Sequence, residues 1–289
     1  MAKRCPALDV HNAGDPDLLL ALLDDFSPTG LQQRQSSIRV FFATAETRDA
    51  AIADLKRLRH TERLWGGRSG RRLQAIDVDD EDWPRRSQEH LLPVTVGRIT
   101  IVSSPSARIP ANPKSRIPNP DEISIVIPAS LAFGTGHHAT TRLCLAALQT
   151  LDLKGSFVLD AGTGSGVLAI AAVRLGAARA LGLDHDADAV TAARENLALN
   201  RDARGVSFEI VDLTAAPLPN ADVVTANLTT ALLTQSRIAL ERALGPGGAL
   251  IVSGVLADDE TALLSAFGHM KKVWQASEDG WIGLRLVKK

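Results

Sequence analysis

From position 123 onward, short apolar runs of strand length alternate with stretches of helical periodicity. Ile123–Ile127, Phe157–Leu159, Ala180–Leu183, Val206–Val211, Asp222–Ala226 and Ala249–Val252 predict strands. Helices are predicted over Ala139–Leu151, Val167–Leu175, Ala187–Asn200 and near 230–243 and 258–267. In Ala187–Asn200 the residues Val190, Ala193 and Leu197 fall on one face. The chain closes with two strands, Lys271–Gln275 and Trp281–Val287, joined by a turn at Asp279-Gly280. Alternation of this kind means a parallel sheet with helices on both faces, here ended by a hairpin.

The first part of the chain has a different pattern. A helix is predicted near 15–25, started by Asp15-Pro16 and carrying the apolar run Leu18–Leu23. Ser37–Ala43 and Leu73–Val78 predict strands, and Thr44 caps a second helix near 45–59. Residues 1–83 therefore read as a small α+β domain with a sheet covered on one face. Between the two patterns, seven of the fourteen prolines lie from Pro93 to Pro128, so 84–122 reads as a stiff linker, with Arg98–Val102 as an isolated strand.

A chain of 289 residues with 45% apolar residues has material for two ordinary domains. Aromatic residues are only 4% and tyrosine is absent, so Ala, Leu, Val and Ile must fill the core. The net charge of −1 argues against a free-standing nucleic-acid binder, and no sequence-specific nucleic-acid contact is expected. Cys5 and Cys144 have no metal or redox spacing and read as reduced thiols of a cytoplasmic protein. The opening MAKRCPALDVHNAGDP lacks an apolar stretch of signal-peptide length, and no run is long enough to span a membrane.

VLDAGTGSGVLAIAA, 158–172, carries the clearest chemistry. A buried strand ends at Asp160, Gly162, Gly164 and Gly166 follow at alternate positions, and a helix begins at once. Glycines permit the tight turn, and the helix start offers free N–H groups to a carboxylate or a nucleoside edge. Asp184 ends the next strand, roughly 20 residues on, where an acid grips ribose hydroxyls in nucleotide folds. Two cofactors compete for the motif. A nicotinamide fingerprint reads G-x-G-x-x-G, whereas here the spacing is G-x-G-x-G behind Asp160. An acid at that point faces a pyrophosphate badly but suits the ammonium of the methionine part of S-adenosyl-L-methionine. The loop is therefore assigned to the methyl donor ahead of a dinucleotide.

LAFGTGHHATTRLCLAAL, 131–148, resembles the family-specific segment of the bacterial ribosomal protein L11 methyltransferases, with its AFGTG loop, histidine and paired threonines. LDAGTGSGVLAIAA, GLDHDADAV and VVTANL are similar to that family's core, and DDEDWPRRSQEHLLPVTVG, 79–97, to its connector. The resemblance implies an α/β class I methyltransferase fold, Rossmann-like, with a seven-stranded sheet and closing hairpin over 123–289. It implies S-adenosyl-L-methionine as cofactor, with contacts at Thr141, Gly162, Asp184 and Asn227. Phe133, Gly134 and Thr135 would close over the site. Ribosomal protein L11, free or on the ribosome, would be the substrate, recruited by the 1–83 domain. A recruiter of one substrate needs no partner subunit, so a monomer is expected.

Methyl transfer from a sulfonium is an in-line displacement that needs alignment and desolvation more than acid–base help. Asn227-Leu228-Thr229-Thr230 lacks the Pro-Pro-aromatic of adenine and amide methylases. This favours an aliphatic amine, with Asn227 beside the methyl group. Rival readings are a same-fold methyltransferase for another protein lysine or a small molecule, a non-catalytic ribosome-assembly module that binds the cofactor, and a dinucleotide oxidoreductase. His137-His138 lacks a third ligand at metal spacing and reads as having a structural or lid role. The basic run 56–72, with Trp65, Arg68, Arg71 and Arg72, reads as a solvated helix end and loop ahead of an RNA contact. Asp79, Asp80, Glu81 and Asp82 before Trp83 read as the start of the linker, and Met270 with Trp274 as packing of a closing strand.

Overall fold

The segment Arg4–His11, whose proline and charges hide any alternation, forms strand β1 in the computed structural model. The structure describes residues 4–11, 19, 22–23, 26, 28, 30–33, 37–57, 72–79, 93–105, 121–128 and 136–288. They fall into two units, Met1–His90 and Leu91–Lys289. In the first, β2 (Gly30–Gln33), β3 (Ser37–Phe41) and β4 (Leu73–Asp79) join β1 in an antiparallel sheet of order β2-β3-β1-β4. Asp9 and Arg39 face each other across β1 and β3, and the guanidinium donates to both carboxylate oxygens at 2.7 and 2.8 Å. This two-pronged pairing lets an acid stand in the middle of a sheet. Leu8, Val10, Ile38, Val40 and Phe42 bury against Ala51 and Leu55 of helix α1 (Ala45–Arg57). Leu19 and Leu23 join this core, although most of the helix predicted near 15–25 lies outside the described residues. So do 58–71 of the basic run and the segment from Asp80 to Trp83.

In the second unit, β5 (Val94–Val96), β6 (Ile99–Val102) and β7 (Ile123–Val126) form a three-stranded sheet of order β5-β6-β7. This corrects two expectations. Arg98–Val102 is not an isolated strand in a linker, because Ile99–Val102 is the paired centre of a sheet. Nor does Ile123–Ile127 belong to the large sheet. The reason is packing: Ile99, Ile101, Ile123 and Ile125 are buried with Leu145 and Leu148 of helix α2 (Ala139–Leu148). Four isoleucines on a proline-rich stretch have more to gain from that contact than from exposure as a spacer.

The remaining elements alternate as predicted: β8 (Phe157–Ala161), α3 (Val167–Arg174), β9 (Arg179–Asp184), α4 (Ala187–Leu199), β10 (Val206–Ile210), β11 (Ala221–Asn227), α5 (Thr230–Ala243), β12 (Leu244–Leu256), α6 (Glu260–Ala266), β13 (Met270–Glu278) and β14 (Trp281–Lys288). Seven strands pair in the order β10-β9-β8-β11-β12-β14-β13, parallel except for β14, which runs antiparallel to both neighbours. Val158, Val223 and Ile251 face α2, α3 and α4, while Leu159, Val224 and Leu250 face α5 and α6. Period-two alternation of apolar residues thus feeds two cores, one on each side of the sheet. Met270 and Trp274 pack into opposite cores, because a bulge between Lys272 and Trp274 reverses the face. No helix among the described residues is long and apolar enough to cross a membrane.

Candidate functional site

Register brings the candidate residues together. Leu183, Ala161 and Ala226 stand level on β9, β8 and β11. One residue further along each strand come Asp184, Gly162 and Asn227. Neighbouring strands lie about 5 Å apart, so these three close a row about 10 Å long at the carboxyl edge of the sheet. That edge, where the chain reverses between β8 and β11, is where open α/β sheets bind ligands.

The glycine loop crosses this row. Gly162, Gly164 and Gly166 all have positive φ, at +73°, +51° and +79°. A Cβ at Gly166 would lie 2.7 Å from Phe208 Cζ and 3.1 Å from Ala193 Cβ, so only glycine fits there. Gly162 and Thr163 both donate their backbone N–H to Leu183 O, at 2.8 and 2.9 Å. Gly166 starts α3 in the left-handed region without a side-chain cap, which leaves the helix start to present backbone donors.

Two acids hold the loop in different ways. Asp184 accepts from the N–H groups of Gly164 at 2.9 Å and Asp186 at 3.1 Å. Asp160 is wholly shielded from solvent, and its two oxygens accept from the hydroxyls of Thr163 and Thr225, each at 2.6 Å. Burial pushes its carboxyl up to about 6, opposed by those two hydroxyls and reinforced by the charge of Asp184. Asp160 pins the loop to β11 from below.

Thr141 lies in the first turn of α2 and is buried. His138 caps that helix, its Nδ1 accepting from Thr140 N–H at 3.2 Å, which is the structural role expected of it. Asn227 Nδ2 reaches Thr141 Oγ1 at 3.5 Å, while Asn227 Oδ1 is buried without a hydrogen-bond partner among the described residues. An unsatisfied buried acceptor is costly and marks a place where a ligand is expected to donate. The Leu228 side chain covers Gly162, and the Thr229 hydroxyl accepts from Leu232 N–H at 3.4 Å to cap α5. The residues after Asn227 are thus spent on packing and capping. Phe133, Gly134 and Thr135 lie outside the described residues.

Three further residues border the site and were not singled out in the sequence. Asp212 lies two positions beyond β10, which pairs with β9 up to Asp184, and Thr214 hydrogen bonds hold its carboxyl below the ordinary range. A third strand-end acid after Asp160 and Asp184 was the available signal. Thr225 could be found only from the cross-strand register. Trp281 opens β14 with its ring edge-on to His138 at 5.1 Å, and its Nε1 is buried without a hydrogen-bond partner among the described residues.

The family model for ribosomal protein L11 methyltransferase (PrmA) matches residues 21–289. The chain belongs to this family. A ribosomal protein L11 methyltransferase of Geobacter sulfurreducens is 38% identical over 253 residues, covering 86% of this chain and 80% of the relative. The namesake from Deinococcus radiodurans is 37% identical over 248 residues, covering 82% and 79%. Among solved structures, a ribosomal protein L11 methylase from Lactobacillus delbrueckii subsp. bulgaricus superposes with a TM-score of 0.61 at 28% identity, covering 69% of this chain and all of that one. Membership makes the chain an S-adenosylmethionine-dependent protein methyltransferase of the class I α/β fold. The site fits that cofactor. Backbone donors at α3, an acid ending β9 and an unpartnered acceptor on Asn227 are the groups that an amino-acid carboxylate, a ribose and a donor beside the sulfonium require.

Proposed function

We propose that the enzyme methylates amines of ribosomal protein L11, at lysine side chains, the N-terminal amino group or both, and that residues 1–83 recruit this substrate. The observation that carries the reading is Asn227 Oδ1, a buried acceptor without a partner at the edge of the sheet, beside the glycine loop. The names of the curated relatives support the choice of target.

Bound S-adenosylmethionine supplies a methyl group on a sulfonium that needs no further activation. Gly162, Gly164, Gly166 and Asp184 would hold its carboxylate and ribose ends. Thr141 and Asn227 would define the place of transfer, with Phe133, Gly134 and Thr135 closing over it. The incoming nitrogen must be neutral to attack, and its lost proton passes to solvent or to a nearby acceptor. Asn227 Oδ1 is suited to accept an N–H from that amine and so to aim its lone pair. The residues after Asn227 lack the aromatic that follows this position in adenine and amide methylases, which favours an aliphatic nitrogen. A monomer suffices for this chemistry, since every residue invoked lies on one chain.

The test is mass spectrometry of ribosomal protein L11 after incubation with purified enzyme and S-adenosylmethionine. Mass gains in steps of one methyl group at amines are expected. An unmodified L11 in a preparation that binds the cofactor would refute the target and leave the fold and cofactor standing.

A further inference from the structure

Arg142 follows Thr141 in the first turn of α2, and among the described residues its side chain bonds to the far end of the chain and to the entrance of its own helix. Its Nε donates to Glu278 Oε1 at 2.8 Å, its Nη2 to Asp279 Oδ2 at 3.3 Å, and its Nη1 to His137 O. Glu278 ends β13, and Asp279-Gly280 is the two-residue turn before Trp281. Asp279 has φ +50° and Gly280 +82°, the left-handed pair that a tight hairpin needs. The turn is also held from the opposite side, where Ala257 N–H donates to Gly280 O at 2.9 Å. Trp281 then packs its ring edge against His138, the cap of the helix that carries Thr141.

The topology sets this hairpin beside the site. β14 runs antiparallel to β12, so its first residue lies at the same sheet edge as the ends of β8, β9 and β11. Trp281 pairs with Leu256, three residues beyond Ser253, which pairs with Asn227. One guanidinium therefore fastens the turn that leads into a buried indole to the helix turn that contacts Asn227.

We infer that Arg142 is a positioning residue for methyl transfer: by clamping the β13–β14 turn to the first turn of α2, it fixes Trp281 relative to Thr141 and Asn227. This rests on the L11 amine methylation proposed above. The ion pairs alone would carry little energy, because Glu278 and Asp279 are half exposed. Their value is directional, since a fork with three acceptors on two elements leaves the turn one arrangement. Loosening the clamp should disturb alignment for transfer more than cofactor binding, whose main contacts lie on β8, β9 and α3.

The test compares wild type with Glu278→Gln/Asp279→Asn, Arg142→Gln and the charge-exchanged pair Arg142→Glu/Glu278→Arg, all in the full chain. S-adenosylhomocysteine affinity is measured by calorimetry, L11 methylation by initial rate, and Trp281 by the fluorine resonance of fluorine-labelled enzyme, assigned with Trp281→Phe. In the first two variants kcat should fall about tenfold while the Kd stays within about twofold of wild type. The Trp281 resonance should shift or broaden, and the exchanged pair, which sets a carboxylate against Asp279 and the His137 carbonyl, should recover neither the rate nor the signal. An unmoved resonance, an unchanged kcat, or a Kd that rises by the factor kcat falls would overturn the assignment. Should wild type leave L11 unmodified, the target reading fails, and the fluorine signal still decides whether Arg142 holds Trp281 in place.

Discussion

Asp160 offers the sharpest test of how this site is built. Its carboxyl is wholly buried and is pushed from an ordinary 3.8 up to about 6. At about 1.4 kcal/mol per tenfold, that shift corresponds to about 3 kcal/mol. The sign follows from proton counting. Between pH 4 and pH 6 the folded state keeps the proton and the unfolded state has lost it, so stability falls as pH rises through this window. Below it the contribution is fully present, and above it fully lost. Asp160→Asn removes the titration and keeps the shape, since an amide can accept from one threonine hydroxyl and donate to the other. Urea unfolding of both proteins from pH 4 to pH 7 gives the difference directly. The wild type should lose about 2.5 kcal/mol relative to the variant across that range, since the unfolded carboxyl is already partly ionised at pH 4. A difference constant to within about 0.5 kcal/mol would show that Asp160 titrates as if exposed and refute the reasoning. Cofactor affinity separates loop-holding from direct contact with an ammonium: the variant should retain binding at pH 7, whereas a direct contact would cost about 1.5–3 kcal/mol.

Other consequences follow from the same geometry. Asn227→Ala should lower kcat for amine methylation by about tenfold to a hundredfold with a smaller change in cofactor Kd, read by initial rates and calorimetry. Asp184→Ala should weaken S-adenosylhomocysteine by about tenfold or more, since it removes a charged acceptor and frees the Gly164 N–H; an unchanged Kd would remove Asp184 from the site. Gly166→Ala should cost about 2 kcal/mol or more in urea unfolding, from the left-handed backbone and the contact with Phe208. The Asn200 side chain both accepts from Val126 N–H and donates to Val126 O, each at 2.8 Å. Asn200→Leu should thus cost about 2–4 kcal/mol and speed hydrogen exchange at the Val126 amide; slow exchange in the variant would show that another group takes over.

Much of the catalytic half was legible locally. Strands of β-branched residues, helices with apolar stripes and the Asp279-Gly280 turn each satisfy a rule that acts within a few residues. The three glycines were readable because positive φ is a property of single residues. The N-terminal sheet was readable only in part: Ser37–Ala43 and Leu73–Val78 showed as strands, but β1 and β2 did not. Strand β1 contains Pro6 and Asp9, and what makes it a strand is Arg39, thirty residues away, together with a core supplied by α1. The 94–102 hairpin was hidden for a similar reason. Proline density pointed to a linker, and only contact with α2 reveals its isoleucines as core.

The site divides along the same line. Residue types and spacing by themselves determined the glycine loop, the acid that follows it, the likeness to the L11 methyltransferases and the choice of cofactor, because each depends on neighbours in the chain. Tertiary structure alone decided that Asp160 accepts from Thr225 across the sheet, that Trp281 stands by the helix carrying Thr141, and that Arg142 reaches residues 136 and 137 positions away. Those outcomes depend on cross-strand register and on how a helix start meets a hairpin turn. No window of sequence contains both partners of such a contact.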